Sequence, residues 1–310
     1  MSLAATVGWS AWAALSGTPP PLDRELDAAR PTHATVMFGT NDIQSRNLDR
    51  YGDNLLTIVD RLLARGVIPH LTAVPPRDDD PAADAWVDRY NAVSRAVAQS
   101  RGVPFIDLHR ELVGLPSHGV GADGIHLNVY TAGGAARGCV FSAAGLRYGH
   151  NVRNLLTIQS LDRALAVTAR GGAAPDPSAP RMQGDGSLAA PIEVPSLPFV
   201  DVRDTSRGGF SRVDRYPGCA SSADESGPEF LYRLALTRAT TVRAVVVSRP
   251  GVDVDIHALT GAATGAACVA RDDRSVRVNL GPGTHYFSLD TYVSAGRPRV
   301  GEFIVALLAE

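Results

Sequence analysis

Asp123 and His126 stand three residues apart in the run Asp123-Gly124-Ile125-His126-Leu127-Asn128. A carboxylate at that spacing on a tight loop can hold an imidazole in one tautomer, leaving the second ring nitrogen to take a proton from a nucleophile. That is the orienter and general base of an acyl-transfer site. Taken alone, such a pair is more often a solvated Asp and His on a surface loop. A metal reading needs a third ligand at consistent spacing, and none is visible beside it. The second chemically suggestive segment is Gly39-Thr40-Asn41-Asp42. Glycine lets the backbone turn close to a substrate, and the Asn41 amide can donate to a developing oxyanion. The plain alternative is a turn, where Asn and Asp are favoured for their local hydrogen bonds.

Positioning both segments requires a scaffold, and the pattern of the first half supplies one. Residues 34–38 are a continuous apolar run fit for a buried parallel strand, so Gly39 to Asp42 falls at a carboxyl edge, where open α/β sheets bind ligands. A helix is predicted over 48–65 from Tyr51, Leu55, Val59 and Leu62, and a strand over 67–74. A second helix, over 83–100, carries Trp86, Tyr90, Val93 and Val97, followed by a strand at 104–108. A last helix runs beyond Ser142 through Leu155, Ile158, Leu161 and Leu165. This alternation implies an α/β layer with a parallel sheet. Residues 171–198, dense in Pro, Gly, Ala and Ser, read as a linker that divides a domain at 1–170 from one at 199–310.

After that stretch the period becomes two. Val252, Val254, Ile256 and Ala258 alternate with Asp253, Asp255 and His257, as in a strand with one buried and one solvated face. Similar strands are predicted at 229–236, 241–247, 275–280, 284–289 and 302–308, the count of a β-sandwich or jelly roll. Asp253, Asp255 and Asp290 could converge on calcium, although solvated carboxylates are the commoner reading of such a pattern.

The 310 residues suffice for two domains, and 45% hydrophobic with 20% charged residues is the composition of a folded chain. A net charge of -2 disfavours nucleic acid and anionic membranes. The sequence contains no Lys, which excludes Schiff-base chemistry and the Walker phosphate lysine. No run is long enough to cross a bilayer, and residues 1–15 lack the charged start of a secretory signal.

In order and spacing, Gly39-Thr40-Asn41-Asp42 and Asp123-Gly124-Ile125-His126 resemble the third and fifth blocks of the GDSL, or SGNH, hydrolases. The resemblance covers roughly residues 3–165 and implies a three-layer flavodoxin-like parallel sheet. It further implies serine ester hydrolysis without a cofactor, on a small-molecule, lipid or acylated carbohydrate ester. Residues 3–7 take the place of the strand before the family's oxyanion glycine, which Gly8 matches. By that resemblance Gly8 and Asn41 form the oxyanion hole, Asp123 orients and His126 is base and then acid. Tyr90-Asn91 and Phe105-Ile106-Asp107 also look like the family and are read as structural.

The family's first block, a Gly-Asp-Ser strand followed by a crossover helix of on the order of 30 residues in all, has no counterpart before Gly8. The expectation is therefore that the nucleophile block, with a signal peptide, lies upstream of Met1, and that the chain as written is inactive. Ser10 is the substitute to weigh. It follows the expected strand and opens a helix in Gly8-Trp9-Ser10-Ala11-Trp12, but Trp12 replaces the second glycine of a nucleophile elbow.

The C-terminal half resembles the pre-peptidase C-terminal type of β-sandwich found at the ends of secreted bacterial hydrolases. The matching residues are Tyr216 to Cys219, Gly227-Pro228-Glu229, Val252 to Ile256, Cys268 and Gly281 to Tyr286. With Cys219 and Cys268 in one domain, a disulfide between them is expected in an oxidising compartment, and buried free thiols otherwise. Cys139 is left over. The overall expectation is a secreted or cell-envelope ester hydrolase with an accessory sandwich. The alternative is a non-catalytic secreted binding or adhesion module acting through the sandwich.

Overall fold

The computed structural model describes residues 2–173 and 182–310. The chain divides into two compact units, Met1–Pro177 and Ser178–Glu310.

In the first unit the order is α1 (Ala11–Leu15), α2 (Pro21–Ala29), β1 (His33–Val36), α3 (Leu48–Ala64), β2 (Ile68–Thr72), α4 (Pro81–Ser100), β3 (Phe105–Ile106) and α5 (Leu108–Leu112). A two-residue hairpin, β4 (Thr131–Ala132) with β5 (Ala135–Ala136), and α6 (Gly149–Thr168) complete it. Strands β1, β2 and β3 form a parallel sheet in that order, with His33 beside Ile68 and Leu71 beside Phe105. The helical spacing in α3 buries Tyr51, Leu55, Val59 and Leu62. In α4 it buries Val87, Tyr90, Val93 and Val97, while Trp86 lies beneath the Arg89 guanidinium. Pro81 at the first helical position and the Asp80 carboxylate, which accepts from Ala82 N, start α4 where the sequence turns. On α6, Val152 is buried and Leu156 packs against Leu108 and Leu112, but Ile158 and Leu165 remain exposed.

The strand expected at 3–7 does not form. Leu3 and Val7 are exposed, and among the described residues no element begins before Ala11. β1 has β2 on one side and, among the described residues, no strand on the other, and residues 2–5 lie across a groove from that open edge instead of pairing with it.

The second unit consists of β6 (Ile192–Val194), β7 (Phe199–Asp204), β8 (Glu229–Leu236), β9 (Thr240–Ser248), β10 (Val254–Thr260), β11 (Cys268–Asp272), β12 (Ser275–Leu280), β13 (Gly283–Thr291), the short pair β14 (Val293–Ser294) and β15 (Arg297–Pro298), and β16 (Glu302–Ala309). Two sheets, β11-β10-β13-β8-β6 and β12-β9-β16-β7, are antiparallel except where β6 runs parallel to β8. They enclose a core built from Tyr232, Val246, Ile256, Phe287 and Phe303. The expected linker is shorter than its composition implied. Residues 174–181 lie outside the described residues, but Ile192 and Val194 alternate into this core and Met182 and Leu197 pack on it.

The largest departure from the sequence reading is at β10. Its apolar positions face the core, yet Asp255 and His257 on the other side are buried as well, as is Asp290 on β13. Residues 205–228 form a strap over that side, with Tyr216 stacked on His257 at 3.5 Å between ring centroids. Arg212 N donates to Glu229 at its start, and the Cys219–Cys268 disulfide fastens it to β11. The expectation of solvated carboxylates at Asp255 and Asp290 is therefore corrected: the strap excludes water from a face that a bare sandwich would expose.

Candidate active site

The turn after β1 is built around the Asp42 carboxylate. Gly39 N donates to Asp42 Oδ2 over 3.1 Å, and Ala11 N donates to both oxygens at 3.1 Å. Gly39 has φ +125, and a Cβ there would stand 2.3 Å from Val74 Cγ2, so the turn admits glycine alone. Burial pushes the Asp42 carboxyl above its usual range, opposed by these two backbone donors. Tyr51 donates to Phe38 O and Tyr90 to Asp42 O, while Asn91 clasps both backbone groups of Val74. Tyr90 and Asn91 thus hold the carboxyl ends of β1 and β2 in place.

Asn41 is exposed at the tip of this turn. Its amide donates to Trp9 O over 3.0 Å, which draws the Gly8 loop against it and leaves the second amide N–H available. Gly8 lies in that loop at φ +81. Ser10 lies between Trp9 and Ala11, both bonded to the 41–42 turn, and its side chain makes no capping bond to α1.

The second loop follows α5. Asp123 Oδ1 accepts from the backbone of Ile125 and His126, both at 3.0 Å, and Oδ2 lies 2.7 Å from His126 Nδ1. These donors, the Ile125 N–H foremost, hold the Asp123 carboxyl down to about 2, so it is ionised wherever the protein is folded near neutrality. Leu127 is anchored in the cluster of Leu108, Leu112 and Val152, and Asn128 Oδ1 accepts from Gly149 N at the start of α6. His126 itself is 73% exposed at its side chain, with Nε2 turned away from Asp123.

The residues that join the two loops were not legible in the sequence. Arg77 follows β2 and is 2% exposed. It donates through Nη1 to Thr40 O at 2.9 Å and through Nε and Nη2 to Asp79 at 2.7 and 2.8 Å. Asp78 N in turn donates to Gly124 O at 2.9 Å, and a Cβ on Gly124 would come within 2.5 Å of Asp79 N. The 77–79 segment therefore fastens the Asn41 turn and the His126 loop to the same carboxyl end of the sheet. What hinted at this in the sequence was the run Arg77-Asp78-Asp79-Asp80 directly after an apolar strand, of which only Arg77 is buried. His118 Nδ1, 2.8 Å from Asp78, adds a second His–Asp pair to this edge.

Chemically the edge offers a fixed imidazole with one nitrogen free, an amide donor on a rigid turn and a glycine loop drawn against that amide. Among the described residues no hydroxyl is hydrogen-bonded to His126. A groove of about 610 Å³ runs between residues 2–5 and the outer edge of β1, lined by Ala4, Ala5, Ala34, Val36 and Phe38 among others.

Residues 3–131 match the GDSL-like Lipase/Acylhydrolase family. No curated protein matches the chain. Among solved structures, the chain is similar to a GDSL-like lipase from Bacteroides thetaiotaomicron, at 19% identity over 51% of this chain and 73% of that one, with a TM-score of 0.38. An acetylxylan esterase from Geobacillus stearothermophilus matches at 16% identity over 50% of this chain and 68% of its own, also with a TM-score of 0.38. A putative acylhydrolase from Bacteroides fragilis matches at 19% over 51% and 72%, with a TM-score of 0.37. None of these matches assigns the second unit to a family.

Proposed function

We propose that the first unit is the base and oxyanion half of a serine ester hydrolase. The observation that carries this reading is the fastening of the Asn41 turn and the Asp123–His126 loop to one end of the sheet through Arg77, Asp78 and Asp79. In the reaction, a serine hydroxyl attacks the ester carbonyl and passes its proton to His126 Nε2. The Gly8 N–H and the free Asn41 N–H stabilise the oxyanion, and Asp123 stabilises the imidazolium. Collapse expels the alcohol, which takes the proton from His126. Water then releases the acid by the same route in reverse.

The groove beside β1 supports the entry of the nucleophile on an extended segment along that edge, in the direction of Asn41. The substrate is an ester, and its acyl and alcohol parts are not specified by this geometry. Export from the cell fits the disulfide, which persists in oxidising compartments.

The test compares hydrolysis of a small activated ester by this chain, by a chain extended through upstream coding sequence, and by His126→Ala in the extended form. The extended chain should be active, and His126→Ala should cost at least about 10³-fold with an unchanged melting temperature. If this chain is already active and Ser10→Ala abolishes that activity, Ser10 is the nucleophile. An extended chain that contains a Gly-Asp-Ser block and remains inert would replace this reading with that of a binding module.

A further inference from the structure

Beneath the strap of the second unit, Glu225, Asp255 and His257 bring three ligating atoms within 4.8 Å of one another. Asp255 and His257 share one face of β10, two residues apart, and Glu225 descends onto them from the strap. Glu225 and His257 are fully buried and Asp255 is 3% exposed. Both carboxylate oxygens of Glu225 and both ring nitrogens of His257 lack a hydrogen-bond partner. Buried polar atoms are otherwise almost always paired, so a buried imidazole nitrogen and a buried carboxylate oxygen that face each other at 3.8 Å, neither hydrogen-bonded, call for a ligand.

We infer that Glu225, Asp255 and His257 form a binding site for a single divalent transition-metal ion such as zinc or manganese. Two carboxylates and one imidazole are the donor set of a borderline ion, whereas calcium takes six to eight oxygens. Two donors each about 2.1 Å from a tetrahedral ion lie about 3.4 Å apart. His257 Nε2 and Glu225 Oε1 are at 3.8 Å, so small side-chain adjustments close the site. The calcium set Asp253, Asp255 and Asp290 weighed from the sequence is thereby replaced, with only Asp255 retained.

The surroundings fit a cation. Among the described residues the one guanidinium facing the pair belongs to Arg271, which is bonded to Asp255 and lies 3.6 Å from Glu225, so two carboxyl groups share one guanidinium. Asp273, 3.4 Å from Arg271 and exposed, gives that guanidinium a second partner when an ion takes its place. Tyr216 fixes the His257 ring plane by stacking, and its hydroxyl donates to Asp290 Oδ2 at 2.6 Å. The Cys219–Cys268 disulfide then holds the strap, and Glu225 with it, over the sheet. The ion would tie the strap to β10 much as the disulfide ties it to β11.

The experiment uses the full chain without an affinity tag, disulfide intact and stripped with a chelator. Equilibrium dialysis against zinc chloride should load one equivalent and raise the melting temperature of the second unit. Glu225→Gln, which keeps shape, and His257→Gln should each weaken zinc at least tenfold, while His118→Ala and His126→Ala leave it unchanged. Manganese should broaden the backbone NMR signals of Tyr216, Glu225 and His257, a measurement on the wild-type protein that holds even if a variant fails to fold. Absence of a zinc equivalent, its survival in both Gln variants, stabilisation by calcium chloride alone, or broadening confined to residues 2–173 would each overturn the site.

Discussion

The two histidine–carboxylate groups of this molecule are opposites. Around His126 every carboxylate oxygen is bonded and the imidazole stands in solvent; around His257 the groups are dry, and the polar atoms of His257 and Glu225 make no hydrogen bond. An exposed, satisfied pair costs the fold little and keeps a nitrogen free for a substrate. A buried, unsatisfied group is costly and persists only where surrounding structure forces it or a ligand completes it. The first kind is maintained by its own loop, the second by what covers it. That difference can be tested by removing, in turn, what holds each one.

The strongest intervention is on the cover. Cys219 and Cys268 are 49 residues apart in sequence, and closing a loop of that length stabilises by about 4 kcal/mol on the chain-entropy model. Cys219→Ser with Cys268→Ser should therefore lower the second unit's melting temperature by on the order of 15 °C. Calorimetry reads this directly. A shift of only a degree or two would mean that the strap holds itself down by packing, and that the burial of His257 does not depend on the bridge.

For the exposed pair the counterpart is Arg77. Replacing it with Met keeps much of the volume but leaves Thr40 O and Asp79 without their donor, and breaking a buried ion pair of this kind costs about 3 kcal/mol. Urea unfolding of Arg77→Met should show that loss, and in any active form of the protein Arg77→Met should lower turnover more than binding. A loss under about 1 kcal/mol would show that the two loops keep their places independently.

Sequence patterns disclosed local features well and cooperative ones poorly. The faces of α3 and α4, the alternation in β10 and the Asp123–His126 pair are each written within a few residues, because a helix turn, a pleat or a tight loop fixes their geometry locally. Arg77, Asp79 and Thr40 meet only through the fold, so no spacing announces them. The second face of β10 looks solvated in the sequence because alternation reports which side chains are polar, whereas the strap that buries them has no period of its own. The absent strand at 3–7 is likewise a matter of tertiary contact: a strand exists only where its backbone is paired, and residues 2–5 stand across a groove from the open edge of β1. Ile192 and Val194 were hidden by the Pro-rich stretch around them.

The most gradual effect concerns protons. Glu229 accepts the Arg212 N–H at the start of the strap and is 5% exposed, and burial pushes its carboxyl up to about 7. An unfolded glutamate titrates near 4.3, so between about pH 4.3 and 7 the folded unit holds a proton that the unfolded chain has released. Folding therefore takes up a proton in that window. Stability from Glu229 is fully present below it and is lost as pH rises through about 7, with a slope of at most about 1.4 kcal/mol per pH unit. Asp123 behaves in the opposite sense: its carboxyl, held down to about 2, adds stability that is lost only as pH falls from about 4 toward 2. In wild-type protein kept in chelator, urea midpoints of the second unit should fall from pH 5 to pH 8, and Glu229→Gln, neutral throughout, should make that fall smaller, with buried Glu225, pushed up to about 9, still contributing in the same direction. A Glu229→Gln profile parallel to wild type would show that Glu229 is already ionised at pH 5, and that water reaches the strap where the structure has it dry.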